Sequence, residues 1–198
     1  MWKKCEKTGV SFMNVYDFDK TIYDGDSTAD FYLYALGKHK KNLLLAPSLA
    51  TAAMKYYVFR KGTKTQFKEV MYRFLNRCDT EQDVASFWEK NARKIKRYYL
   101  KQQRSDDVII SASPVFLLQP ICNKLGIRCL IASEVDPHTG QYSGENCHGE
   151  EKVRRFRAQF GQTDIDAFYS DSHSDDPLAR IAKQAFMVKG ESLSPWQF

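Results

Sequence analysis

The sequence predicts an α/β chain with a doubly wound parallel-sheet core and an all-helical segment inserted after the first strand. Three observations carry this. Short β-rich or apolar runs alternate with helix-compatible stretches through the second half of the chain, the pattern of strands joined by crossover helices. About eighty residues between the first and second of these runs read as helix only. The chain has 198 residues, 43% of them apolar, enough for one substantial core with one insertion.

The first strand is expected in "MNVYDFD", where apolar positions precede a cluster of carboxylates. Helices follow over residues Ser27–Leu36, Lys41–Phe59, Thr65–Asn76 and Thr80–Tyr99. Their recurrent aromatics, among them Tyr32, Tyr57, Phe74, Phe87 and Trp88, fall at roughly helical spacing; most serve to pack these helices together, with one or two left to line the substrate pocket. The remaining strands are expected in "DVIISAS", "IRCLIAS", "AFYSDS" and "AFMVKG", with helices over Pro114–Leu125, Glu151–Phe160 and Pro177–Lys183. "SEVDPHTGQYSG" has the turn chemistry of a small hairpin around Asp136-Pro137-His138-Thr139-Gly140. The expected division is a core of residues 1–23 and 106–198, and a helical cap of residues 24–105.

The net charge of +6 is unevenly spread. Residues 24–104 hold 17 Lys or Arg against 8 Asp or Glu, while the rest holds 13 against 16. Such a basic block either draws anionic substrates, nucleic acid or acidic lipid, or forms solvated helix faces. The five cysteines lack any C-x-x-C pair, which indicates neither a disulfide framework nor a zinc knuckle and fits a reducing cytoplasm. The start "MWKKCEKTGVSF" is too short in its apolar part for a signal peptide, and Met13 offers an alternative first residue. The most apolar window, "NLLLAPSLATAAM", is broken by Pro47 and falls short of a membrane span, so a soluble protein is expected.

"NVYDFDKTIYDGDS" crowds Asp17, Asp19, Asp24 and Asp26 behind the first strand. Like charges at this spacing repel unless a cation, a proton or hydrogen-bond donors compensate. In an open parallel sheet, ligands bind beyond the carboxyl ends of the strands. Asp17 and Asp19, the run Ser111-Ala112-Ser113, and Ser170-Asp171 with Asp175 all lie there, and Lys152 opens the helix after the hairpin. Three carboxylates, a hydroxyl and a lysine suit a divalent cation together with a phosphoryl group. A magnesium ion takes hard oxygen ligands, here the Asp17 carboxylate, the Asp19 carbonyl and Asp171. Asp175 would orient a metal-bound water from behind, and the Asp19 carboxyl stays free for proton transfer. Taken singly, each of these residues has a plainer role as a strand-end cap or a solvated turn.

"DFDKT", "IISAS", "HGEEK" and "YSDSHSDDPL", in this order, resemble the four signature motifs of the haloacid dehalogenase superfamily of phosphohydrolases. The helical insertion after the first motif resembles that of the phosphoserine phosphatase-like branch. The resemblance implies a Rossmann-like core and a magnesium-dependent phosphomonoester hydrolase acting through an aspartyl phosphate. It makes Asp17 the nucleophile and Asp19 the acid and base. Ser111 and the Ala112 amide would hold phosphoryl oxygens, Lys152 would offset charge, and Asp171 would ligate magnesium. Asp26 stands where the branch places a glutamate for the substrate's amino group. Phe74, with Arg73 adjacent, stands at the branch's carboxylate-binding arginine. Ala112-Ser113 replaces a glycine pair, and Ser174 replaces a phosphate-contacting asparagine.

The expected substrate is a small phosphorylated metabolite; alternatives are a phospholipid head group reached from the membrane surface, or non-enzymatic binding of anions by the basic cap. Nucleic acid is disfavoured as a partner, and no obligate protein partner is implied. "DKT" also resembles the phosphorylated motif of ion-pumping ATPases, which would make Asp19 the nucleophile, but no membrane span accompanies it. A receiver-type signalling domain would need its phosphoacceptor on the third strand and no insertion. His148 and His173 are expected to be structural.

Overall fold

The computed structural model describes residues 13–61 and 63–198. Expectations about Cys5 and about Met13 as a first residue bear on residues 1–12 and lie outside the described residues. A six-stranded sheet runs in the order β3-β2-β1-β4-β5-β6. The strands are β1 (Asn14–Tyr16), β2 (Val108–Pro114), β3 (Cys129–Ser133), β4 (Ile165–Ser170), β5 (Ala182–Lys189) and β6 (Ser192–Pro195). The first five pair in parallel and β6 returns antiparallel on the edge. β1 lies centrally between β2 and β4, and its three residues are buried. That is the position in which a short apolar strand needs no alternation.

Two buried clusters cover the two faces. One joins Ile109 to Leu117, Leu118 and Ile121 of α6 (Val115–Lys124), and to Phe31, Phe74, Phe87 and Trp88 from the inserted helices. The other packs Val15, Ile110 and Phe168 against Phe156 and Phe160 of α7 (Glu150–Phe160), with Leu178 of α8 (Asp176–Ala179) and Trp196. Between β1 and β2 the named elements of the described residues are all helical: α1 (Ser27–Lys38), α2 (Ala46–Ala53), α3 (Lys64–Tyr72), α4 (Thr80–Asn91) and α5 (Arg97–Gln102), with shorter 3₁₀ and π turns between. The Trp88 indole N–H donates to the Leu117 carbonyl at 2.6 Å, tying α4 to α6.

The sequence placed these helices well but drew two of them too long. The stretch expected over Lys41–Phe59 begins as a 3₁₀ turn (Lys40–Leu45), starts α2 where Pro47 fits the first turn, and widens to a π turn over Met54–Val58. The stretch expected over Thr80–Tyr99 breaks at Ile95-Lys96. There Ile95 bridges to Tyr23 and the Lys96 N–H donates to the Ile22 carbonyl at 2.8 Å. The helix expected over Pro177–Lys183 stops at Ala179, because the chain is already entering β5. β6 escaped notice because its four residues are exposed and lack apolar alternation; Pro195 suits an edge that needs no further donor.

The expected hairpin is reduced to a single bridge, Val135 to Tyr142. Its turn is held by the Asp136 carboxylate, which accepts from the amides of His138 (2.8 Å) and Thr139 (2.7 Å). Gly140, at φ +75°, lies so close to Tyr72 on α3 that a Cβ there would stand 2.7 Å from the Tyr72 carbonyl oxygen. Among the described residues, Cys78, Cys122 and Cys147 are free thiols. Among the described residues, no helix is long and apolar enough to cross a membrane.

Candidate active site

β1 ends by delivering Asp17, whose amide donates to the Tyr169 carbonyl of β4 at 2.9 Å. The chain then folds tightly: the amides of Ile22 and Tyr23 both donate to the Phe18 carbonyl at 2.9 Å. Lys20 takes a left-handed φ of 56°, unusual for a residue with a side chain, and its amide donates to the Gly25 carbonyl at 2.8 Å. The buried Phe18 and Ile22 anchor this loop, so the polar residues between them face the sheet's carboxyl end.

Asp19 is clamped between two elements. Its carboxylate accepts from the Ser27 amide at the start of α1 (2.6 Å) and from the Ser113 hydroxyl at the end of β2 (2.5 Å). The Ser113 oxygen also lies 2.9 Å from the Thr28 hydroxyl. A carboxylate at a helix N-terminus is favoured by its exposed N–H groups. Burial nevertheless pushes the Asp19 carboxyl up; nearby Asp26 adds to this, and the Ser113 and Ser27 bonds pull only part of the way back.

Lys152 is the buried cation of the site, 2% exposed in the first turn of α7. Its ammonium donates to Asp17 Oδ1 at 2.7 Å and to Asp175 Oδ2 at 2.8 Å, and the latter oxygen also accepts from the Ser170 hydroxyl at 2.7 Å. Burial works against its charge, but Asp17 and Asp175 outweigh it and hold Lys152 above the ordinary lysine range. For Asp17, burial is the larger influence: it pushes the carboxyl up against the pull of Lys152, and Asp175 and Asp19 push it further. Asp171 is pushed up by burial as well, with Lys20 acting against it.

These groups open into one crevice of about 390 Å³. It brings together Asp17, Asp19, Asp26, Ala112, Lys152, Asp171, Ser174 and Asp175 from the residues singled out in the sequence, with His148 beside them. Ser111 lies just beneath, 1% exposed, and its hydroxyl oxygen accepts the Ser113 amide at 3.1 Å. Arg73 is elsewhere: it lines a second cavity with Glu69 and Tyr142, so it is not carried forward as a substrate ligand. Asp26 caps α1 by accepting the Ala29 amide at 2.9 Å. Asp175, expected behind the site, bonds Lys152 directly.

Sequence reasoning missed Lys68, which reaches the crevice from the inserted helices; Tyr57, one of the aromatics of that segment, lines it too. The Lys68 ammonium donates to the Ala112 carbonyl (3.0 Å) and to Asn146 Oδ1 (3.1 Å). Nothing local marks Lys68 among the many lysines of its segment; its role arises only when α3 docks on the sheet. A second group of ligand-type side chains, His39, Cys78 and Asp83, lies away from the crevice. Both Asp83 oxygens are already engaged, by Lys38 at 2.6 Å and His39 at 2.7 Å, and burial pushes the Cys78 thiol up. That group pins α1 to α4.

The donor set fits a hard divalent cation. Asp17 and Asp175 share the Lys152 ammonium, Asp171 lines the same crevice, and Asp175 Oδ1 is buried without a hydrogen-bond partner. An ionised oxygen orphaned in this way is costly unless a cation meets it, and oxygen-only ligands are those magnesium takes.

Known proteins resemble this chain in sequence and in fold. The chain is 27% identical to Protein CicA of Caulobacter vibrioides over 85% of its own length and 82% of the relative. It is 25% identical to a histidinol-phosphatase of Neisseria meningitidis, over 90% of each chain. Among solved structures, it superposes on a protein of unknown function from Bordetella pertussis (TM-score 0.70, 21% identity, 87% of each chain). It also shares the fold of a phosphoserine phosphohydrolase-like protein from Francisella tularensis (TM-score 0.52, 15% identity, 88% and 86% covered). The family model for haloacid dehalogenase-like hydrolases matches residues 15–180, from the first strand to the turn after α8, and the chain therefore belongs to that family.

Proposed function

We propose that this chain is a magnesium-dependent phosphomonoester hydrolase that works through an aspartyl phosphate on Asp17. The observation that carries the reading is the buried Lys152 ammonium shared between Asp17 and Asp175, at 2.7 and 2.8 Å, inside a crevice that still leaves an Asp175 oxygen unpaired. The similarity to a histidinol-phosphatase supports a phosphatase.

Asp17 attacks phosphorus through its carboxylate, and the bond to the leaving oxygen breaks as the Asp17–phosphorus linkage forms. Asp19, clamped within reach, gives the leaving oxygen a proton. In the second step the Asp19 carboxylate takes a proton from the incoming water, and phosphate departs with Asp17 regenerated. Positioned proton transfer of this kind contributes roughly 10²–10⁴ in rate, about 3–5 kcal/mol. Lys152 moves with the charge: it faces Asp17 in the resting site and the phosphoryl oxygens once they arrive. The Ala112 amide and the Ser111 hydroxyl bind those oxygens, while Lys68 and Ser174 frame the entrance. Asp17, Asp171 and the Asp19 carbonyl would hold the magnesium, with the unpaired Asp175 oxygen beside it, and its charge would further stabilise the negative phosphoryl oxygens. The substrate is a small phosphorylated metabolite, and Asp26 is the group that meets an amine on it.

Phosphate release from a panel of phosphorylated metabolites, measured with chelator and with magnesium restored, tests the reading. Release that depends on magnesium and falls by roughly 10³ or more in Asp171→Ala is expected. Full activity in excess chelator, or no release from any phosphate ester, would overturn it.

A further inference from the structure

The segment joining α2 to α3 exposes large apolar side chains where a water-facing turn would be polar. Met54, Tyr57, Val58 and Phe59 are 54%, 67%, 70% and 61% exposed, in the π turn and the residue closing it. The Phe59 amide donates to the Met54 carbonyl at 3.1 Å, which sets Phe59 one wide turn beyond Met54. Side chains of this size gathered on one short turn mark a contact surface.

Along the sequence the charge around this turn is of one sign, while the crevice that Tyr57 borders holds the aspartates of the site. Between Asp30 and Glu69 the sequence holds eight Lys or Arg and no Asp or Glu. Lys55, Arg60 and Lys61, which flank the apolar group, are exposed. Tyr57 belongs both to this surface and to the wall of the catalytic crevice.

We infer that the turn Met54–Phe59, with its flanking Lys55, Arg60 and Lys61, docks this protein on an anionic lipid surface. Apolar and aromatic side chains enter the boundary of head groups and acyl chains, and the cations meet the lipid phosphates. Tyrosine is at home at head-group level, which places the mouth of the crevice there through Tyr57. The helices of the described residues are too short to span, so the segment lies on the bilayer. Charge separates this partner from two others. A second copy meeting the same face would set like charges against each other, and nucleic acid would use the cations but leave Val58 and Phe59 in water. The inference is independent of the catalytic reading, because docking does not require turnover.

The test is co-sedimentation with vesicles of phosphatidylcholine alone and of equal parts phosphatidylcholine and phosphatidylglycerol. The whole protein is expected to pellet with the anionic vesicles only, and less so as salt rises. Val58→Ser/Phe59→Ser is expected to weaken partitioning roughly tenfold or more, by loss of apolar burial. Lys55→Gln/Arg60→Gln/Lys61→Gln is expected to weaken it on anionic vesicles while removing the salt dependence. Both variants should fold and release phosphate from a soluble aryl phosphate at the parent rate. No binding to anionic vesicles at low salt, or binding unchanged in Val58→Ser/Phe59→Ser, overturns the inference. So does a dimer in solution that this variant dissolves, or tighter binding to duplex DNA than to the vesicles.

Discussion

Replacing Lys152 with methionine separates the electrostatic design of the site from its packing. The side chain is 2% exposed, and its ammonium is the shared donor to Asp17 and Asp175. Methionine fills a similar volume but leaves both carboxylates buried without their cation. Breaking a buried pair from one side costs about 3–5 kcal/mol. For a chain of this size each kcal/mol moves Tm by roughly 2–4 °C, so a fall of roughly 6–20 °C is expected in chelator. The pH dependence has a definite sign. Burial already pushes the Asp17 carboxyl above its unfolded value, and losing Lys152 pushes it further. A carboxyl raised in the folded state withdraws stability as pH climbs from the unfolded value through the folded one. The deficit of Lys152→Met should therefore be small near pH 4 and widest near pH 8. Added magnesium should raise the variant's Tm by binding the folded state alone. Thermal melts with chelator and with magnesium, and urea unfolding at several pH values, with phosphate release measured alongside, read all three effects. A deficit under about 1 kcal/mol near pH 8, or unchanged phosphate release, would refute the reasoning.

Gly140→Ala and Asp26→Asn probe the supports of the site, with Gly126→Ala as a control. Gly140→Ala sets a methyl 2.7 Å from the Tyr72 carbonyl oxygen at a φ of +75°, whereas Gly126→Ala, at φ +72°, meets nothing within 4 Å. Denaturant melts should show a loss of about 1 kcal/mol at Gly126 and at least about twice that at Gly140, and equal losses would mean that the turn does not press on α3. Asp26→Asn keeps the cap on the Ala29 amide but removes the charge. Stability should change by less than about 0.5 kcal/mol. KM should rise for amine-bearing phosphate esters and stay level for others, and a uniform change across the panel would leave Asp26 as a cap alone.

What the sequence disclosed of the site follows from how local each part is. Asp17 and Asp19 are fixed by the end of one strand, Asp171 and Asp175 by the end of another, and Lys152 by the first turn of a helix, so short motifs locate them. Ser111 and Ala112 lie in the second half of β2, where its register with β3 shifts, and a short motif locates them too. Lys68 and Tyr57 enter the crevice from segments far along the chain, and only the docking of the inserted helices brings them there. Arg73 went astray for a related reason: α3 ends at Tyr72, and the 3₁₀ turn that follows carries Arg73 to the second cavity. The breaks at Ile95-Lys96 and Met54–Val58 were hidden because periodicity continues through them. The first is made by pairing with Tyr23 and Ile22, contacts that no helical pattern encodes.

The two aspartates of the first motif give the most direct test of the proposed chemistry. Asp17→Asn removes the attacking carboxylate, while Asp19→Asn removes only the proton carrier. An aryl phosphate, whose leaving group scarcely needs a proton, should still phosphorylate Asp19→Asn, and without a base for the second step the intermediate should persist. Intact mass after acid quench, followed by peptide mapping, should show a phosphoryl adduct on Asp17 in Asp19→Asn and none in Asp17→Asn. An adduct mapped to Asp19 in the unsubstituted protein would contradict the assignment of Asp17 as nucleophile.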